Sequence, residues 1–198
     1  MALSEGGRDA NTESGAWRLQ RPFDMNIYEE YIENVIQLAE DAMHDSRIDD
    51  AKRLLEGALM EEPGYAKLHA KMGDLYCYET KNLAMAEKHY HLAIRFYPEY
   101  HEVYRDLTDM YLDHRKFDGL KKLMTKAIGV DGIDKAFVYE KLGQAAEAEG
   151  QYKEAIGYYR KGLFESLDNV DAAELKKHIK RNKYKRLRLK WRRNKINK

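Results

Sequence analysis

Apolar residues recur along this chain in one pattern that returns four times. In each copy, five positions hold apolar or small side chains, and the copies follow one another at steps of 35, 34 and 35 residues. Within a copy the positions are spaced as on one face of a helix. A repeat of this length, with a polar break between two helical stretches, predicts stacked helix pairs. The matching sets are Ile48, Ala51, Leu55, Ala58, Leu59; Leu83, Ala86, Tyr90, Ala93, Ile94; Phe117, Leu120, Met124, Ala127, Ile128; and Tyr152, Ala155, Tyr159, Gly162, Leu163.

Helix boundaries can be read from the residues that flank these stretches. Asn26 and Glu29 form a capping pair, so the first helix is expected to begin near Ile27. The second helix is expected to stop before Pro63, because the residue that precedes a proline is pushed out of the helical region. The chain has only 3 prolines, so little interrupts long helices and the class predicted is all-α.

The composition of the chain also predicts a flexible N-terminal leader and a cellular location. Residues 1–23 are polar and lack periodicity, which predicts a flexible leader, with Trp17 and Phe23 docked on the first helix or kept for a partner. No run of about 18 uncharged apolar residues occurs, which argues against a spanning helix. Cys77 is the single cysteine, so no disulfide forms within the chain. We expect a cytoplasmic protein.

The repeats resemble the tetratricopeptide-repeat (TPR) signature over roughly residues 29 to 167. The resemblance implies an all-α, right-handed superhelical solenoid of antiparallel helix pairs, with a capping helix at its C-terminal end. The repeats would span about 29–65, 66–100, 101–135 and 136–169, within a solenoid of 24–169. The resemblance is carried by Gly73, Tyr76, Ala86, Tyr90, Ala93 and Pro98, and by Leu142, Gly143, Gly150, Tyr152, Ala155 and Tyr159.

Two irregularities set this chain apart from the TPR pattern. The second repeat has one extra residue between Gly73 and Ala86, which we place in its turn. The third and fourth repeats lack the closing proline, so the stack is expected to bend near residues 130–134.

The resemblance also implies a binding groove lined by the first helix of each pair. Six carboxylates and two cations make the proposed lining acidic. The Lys, Asn and Arg clamp with which chaperone-binding members hold a C-terminal carboxylate is not matched at Ile36, Glu40 and Asp106. A basic or mixed-charge protein segment is therefore the expected partner. The implied groove positions are Glu33, Ile36, Glu40, Lys67, Ala70, Asp74, Glu102, Arg105, Asp109, Phe137, Glu140 and Gln144.

The C-terminal segment has the opposite charge. Residues 176–198 contain 13 of the 35 Lys and Arg residues and no acid, which gives this segment +13 and residues 1–175 a net charge of −12. Residues 170–198 are predicted to form a capping helix, with Asp171 and Glu174 as its capping pair, that continues into a basic tail with an apolar strip of Tyr184, Leu187 and Trp191. The tail residues singled out are Lys183, Lys185, Arg186, Arg188, Lys190, Trp191, Arg192 and Arg193.

No sequence motif indicates catalysis, a cofactor or a metal. His89 and His91 lie two apart, on different sides of a helix, and no phosphate-binding loop or catalytic triad is readable. We therefore expect a non-enzymatic scaffold or adaptor that binds a protein or peptide, with the tail as a second contact. A nucleic-acid or ribonucleoprotein-associated factor is the alternative, and a peripheral membrane assembly factor is a weaker one. The opposite charges also leave self-association, or a tail folded back on the acidic body, as outcomes to test.

Overall fold

The computed structural model describes residues 21–196 of the chain, and these residues form helices and no strand. The helices alternate with short turns, as the four-fold pattern predicts. None of them is both long enough and apolar enough, within this range, to cross a bilayer. In chain order the helices are α1 (Arg21–His44), α2 (Ile48–Glu61), α3 (Ala66–Asp74, extended by a π-helical turn over Leu75–Glu79), α4 (Leu83–Phe96), α5 (His101–Asp113), α6 (Phe117–Ala127), α7 (Lys135–Ala148), α8 (Tyr152–Glu165) and α9 (Asn169–Ile196).

The repeated apolar positions form the core of each helix pair. The chain divides into two compact units, one ending at Pro63 and one beginning at Gly64. In the first unit, α1 and α2 bury Ala39 and Leu55 completely. In the second unit, the three middle positions of every repeat are buried, and the first and fifth positions are half-buried. The pattern therefore predicts burial position by position.

Small residues on the first helix of a pair make room for large ones on the second. A Cβ atom on Gly73 would lie 2.5 Å from the ring of Tyr90, and one on Gly143 would lie 2.5 Å from the ring of Tyr159. Both distances are far shorter than a van der Waals contact, so glycine is required where these tyrosines pack. In the third repeat, Thr108 faces Met124 instead.

The turns inside the repeats share one left-handed backbone position. Ser46, Lys81, Arg115 and Gly150 have φ of 59°, 57°, 54° and 78°, at the spacing of the repeat. Each ends a first helix in the left-handed conformation that commonly closes helices. The sequence signals this position only at Gly150, because the other three residues carry side chains.

The prediction that the extra residue of the second repeat lies in the turn between its helices is wrong. Lys81 and Ala86 are five residues apart, as are Gly150 and Ala155, so the turn itself has the usual length. The extra residue lies in the π-helical turn, where the N–H of Thr80 donates to the carbonyl of Leu75 at 3.1 Å. Bonds to the fifth residue back absorb one more residue without ending the helix.

Two predicted helix starts were also wrong. α1 begins at Arg21, so Asn26 lies inside the helix rather than at its cap, and the predicted leader of 1–23 ends later than the helix begins. α9 begins at Asn169, and the Asp168 carboxylate, not that of Asp171, accepts the N–H of Val170 at 2.9 Å. Trp17 and the side chain of Phe23 lie outside the described residues.

α9 covers the end of the fourth repeat, as a capping helix does. Its Leu175 is 2% exposed and its Ile179 is 9% exposed. Both belong to one apolar cluster with the buried side chains of α7 and α8, namely Ala146, Ala155, Ile156 and Tyr159.

Candidate functional site

The groove positions implied by the TPR resemblance differ in how much surface they offer. In the first unit, Ile36 is only 6% exposed, whereas Glu33 and Glu40 retain accessible surface. In the second unit, Ala70 is 2% exposed and is likewise a packing position. The expectation that Ile36 and Ala70 line a binding surface is corrected by their burial. We call the accessible and half-buried positions on this side of α3, α5 and α7 the first-helix face: Lys67, Asp74, Glu102, Arg105, Asp106, Asp109, Phe137, Glu140, Lys141 and Gln144.

One end of the first-helix face is acidic. Asp74 of α3 accepts the Tyr90 hydroxyl at 2.8 Å and lies 3.4 Å from the Lys71 ammonium. Asp106 of α5 lies near Asp74 and Asp109. Burial, and then the charges of Asp74 and Asp109, raise the pKa of Asp106 to about 6, against the opposing influence of Lys71. A cation placed beside such a carboxyl group would stabilise its ionised form.

Sequence reasoning did not assign Asp106 to this surface. The TPR resemblance places Asp106 only where a carboxylate-binding clamp would need a cation or an amide. Its surroundings depend on the tertiary fold, which brings the charge of Asp74 close enough to raise the pKa of Asp106 although the two residues are 32 apart in sequence.

The other end of the first-helix face is aromatic and cationic. The guanidinium of Arg105 lies 4.9 Å from the ring centroid of Phe137, and the ammonium of Lys141 lies 5.3 Å from it. Lys141 also pairs with Asp109 at 3.4 Å. Gln144 donates to Glu140 at 2.8 Å. The face thus runs from a carboxylate group at α3 and α5 to a cation-flanked ring at α7.

A crevice of about 800 Å³ lies between the second helices α4 and α6, and no motif in the sequence predicts it. The Glu87 carboxylate accepts from Tyr111 at 2.8 Å and from Lys116 at 2.7 Å on its wall. Five cations and two acids line the crevice, so its charge is opposite to that of the acidic end of the first-helix face. The charged lining residues are Arg95, Arg115, Lys116, Lys122, Lys126, Glu87 and Asp118.

Glu147 of α7 is the polar anchor of α9. Its side chain is 9% exposed and receives the Arg181 guanidinium through two bonds, of 2.7 and 2.8 Å, and the Lys185 ammonium at 2.7 Å. Asn182 and the Tyr159 hydroxyl donate at 2.6 and 3.0 Å. Burial alone would raise the pKa of Glu147, but these bonds outweigh it and lower the pKa to about 2. The carboxylate is therefore ionised and fixes two turns of α9.

The predicted tail residues divide into two groups on α9. Lys185 is held by Glu147, so it belongs to the docked part of the helix. The other described tail side chains are exposed, including Trp191, which is 60% exposed. The side chain of Arg193 lies outside the described residues. The exposed tail residues are Lys183, Arg186, Arg188, Lys190, Trp191 and Arg192.

Within the described chain, no group of three or more His, Cys, Asp or Glu residues is arranged to hold a metal ion. The buried imidazoles of His69 and His89 face one another at 3.1 Å and stack with Phe96 and Tyr76. Burial and the neighbouring His69 lower the pKa of His89 to about 4, so His89 is uncharged near pH 7 and packs as a neutral ring.

No protein-family model matches the chain, and no curated protein matches it in sequence. Solved structures match it in chain path. PilF of Pseudomonas aeruginosa aligns over 81% of this chain and 71% of its own, with a TM-score of 0.62 and 18% identity. A structure of MamA aligns over 68% of this chain and 72% of its own, with a TM-score of 0.55 and 21% identity. Both neighbours are TPR solenoids, and the chain therefore has the tetratricopeptide-repeat fold that its sequence resembles.

Proposed function

We propose that this protein is a non-enzymatic interaction scaffold of the cytoplasm that binds a mixed-charge protein segment on the first-helix face, with α9 as a second contact. The proposal rests on how charge is distributed along that face, from an acidic end to an aromatic and cationic end. Asp74, Asp106 and Asp109 form its acidic end, and Phe137 lies at the other end with Arg105 and Lys141 beside the ring. A segment with basic residues at one end and acidic or aromatic residues at the other complements this order.

Asp106 supplies the strongest preference for a cation. Burial, and then the charges of Asp74, Asp109 and Glu102, raise its pKa, so ionising this carboxyl group costs free energy in the absence of a partner. A bound Lys or Arg side chain would lower that pKa again, so binding and ionisation support each other. Affinity should therefore fall as the pH drops through about 6.

Defined synthetic peptides test the proposal. Basic and mixed-charge peptides should bind more tightly than acidic peptides of the same length. Asp106→Asn and Asp109→Asn should each weaken binding about threefold to fivefold, as expected for partly exposed ion pairs. Asp118→Asn is the matched control, since it removes an exposed carboxylate from α6, outside this face. Preference for acidic peptides, or equal loss in all three variants, would contradict the proposal.

A further inference from the structure

α9 has two faces that point in opposite directions. Its inner face holds Leu175, His178, Ile179 and Asn182, all buried against repeat four. Its outer strip consists of Tyr184, Leu187 and Trp191, which are 66%, 61% and 60% exposed. Helical geometry places the centre of the strip about 180° around the helix from the inner face. The strip therefore faces away from the repeats.

Cations flank the outer strip on both sides. Residues 183–196 contain 8 Lys and Arg residues and no acid. Lys183 and Lys190 lie on one side of the strip, and Arg188 and Arg192 on the other, each about 60–100° from its centre. The Lys195 ammonium lies 4.3 Å from the ring of Trp191. An apolar line between two cationic borders is the arrangement of helices that lie along a charged interface.

We propose that the outer strip of α9 binds an anionic phospholipid surface, with α9 lying flat and the repeats facing away from the lipid. The inference rests on the part of the proposed function that gives α9 a second contact, and it is independent of the first-helix face. Tyr184, Leu187 and Trp191 enter the headgroup region, and the flanking Lys and Arg side chains reach the lipid phosphates. Glu147 holds Arg181 and Lys185, so α9 keeps this orientation while it binds.

The strip favours a lipid surface over a nucleic acid. Phosphate contacts would use the cations but would leave Leu187 in water. Stacking on bases would use the rings of Tyr184 and Trp191 but again not the leucine. Transfer from water to a lipid interface is favourable for all three side chains, because aromatic rings and leucine both partition there. The flatness of an interface also suits a strip that the repeats leave uncovered.

The test uses the full chain and vesicles of two compositions, pure phosphatidylcholine and equimolar phosphatidylglycerol with phosphatidylcholine. The chain should sediment with the phosphatidylglycerol vesicles, less so at high salt, and leave the pure phosphatidylcholine vesicles unbound. In a Trp17→Phe background, the emission of Trp191 should shift to the blue on binding. Leu187→Ala with Trp191→Ala should lower the partition coefficient about tenfold or more, and each of Arg188→Gln and Lys190→Gln about fivefold.

Matched controls separate this proposal from general stickiness and from the peptide site. Phe164→Ala with Leu167→Ala removes comparable apolar surface from the end of α8 and the turn that follows it, where these side chains are 88% and 105% exposed, and should leave vesicle binding unchanged. Asp106→Asn should also leave it unchanged, whereas the strip variants should bind the peptides normally. Equal binding to both vesicles, or tighter binding to a single-stranded or duplex oligonucleotide that survives loss of Leu187 and Trp191, would overturn the proposal.

Discussion

The two halves of α9 share one helix but differ in what holds them. Residues 175–185 bury Leu175 and Ile179 and give Arg181 and Lys185 to the Glu147 carboxylate. Residues 186–192 are exposed throughout, with leucine and tryptophan in contact with solvent. Basic residues occur in both halves, so the charge of a residue does not tell which half supports the fold. A basic residue of α9 supports the fold only where it pairs with a buried carboxylate of the repeats, as Arg181 and Lys185 do with Glu147.

The largest loss of stability is expected at one of two leucines of α9. Leu175→Ala should lower the free energy of unfolding by about 3 kcal/mol, because it empties a fully packed position between α8 and α9. Leu187→Ala should change it by less than about 0.5 kcal/mol, because the side chain is already solvated. Urea unfolding of both variants measures the difference. Equal effects would show that α9 does not dock as described.

A second comparison sets the buried carboxylate of Glu147 against the exposed carboxylate of Glu79. The pKa of Glu147 is lowered from 4.5 to about 2, so the stabilisation it provides is complete above pH 4.5 and is lost as the pH falls toward 2. That shift corresponds to about 3 kcal/mol. Glu147→Gln should remove this acid-dependent loss and destabilise the protein at neutral pH by about 2 kcal/mol. Glu79→Gln, an exposed carboxylate, is the control and should change neither quantity. An unchanged pH profile in Glu147→Gln would refute the anchor.

Acid should act on the docked half through His178 as well. Burial and then the neighbouring Arg181 lower the pKa of His178, against Glu140, Glu147 and Glu174, so protonation below about pH 6.5 favours the unfolded chain. The Arg181 guanidinium donates to Nδ1 at 2.6 Å, and the ring stacks on Tyr159. Glu147→Gln should therefore keep a loss of stability that begins near pH 6.5.

Gly143 of α7 and Gly157 of α8 give a contrast in sign, since one substitution to alanine should destabilise the protein and the other should stabilise it. Gly143→Ala should cost about 2 kcal/mol, because the new methyl group would displace Tyr159, which donates to Glu147 and stacks on His178. Gly157→Ala, on the open side of α8 with no atom within 4 Å of the new Cβ, should stabilise the helix by up to about 1 kcal/mol. Thermal unfolding distinguishes the two, and a stabilised Gly143→Ala would contradict the close approach of α7 and α8.

The repeat pattern predicted the fold because helical spacing is local and each copy confirms the others. It could not locate features that depend on tertiary contact. The π-helical turn at Leu75–Glu79 absorbs a residue that the pattern assigns to the turn. The role of Glu147 depends on α9 returning to α7, which brings Arg181 within reach although it is 34 residues away. The outer strip was visible as a spacing of three apolar residues, but which way it faces required the docked helix.

Amide hydrogen exchange along α9, with and without vesicles of equimolar phosphatidylglycerol and phosphatidylcholine, compares the two halves most directly. Without vesicles, residues 175–185 should exchange much more slowly than residues 186–196. With vesicles, exchange should slow in 186–196 and stay unchanged in 175–185. Equal protection of both halves in the free protein, or slowing confined to the repeats when vesicles are added, would contradict the division of α9 into an anchored half and a lipid-binding half.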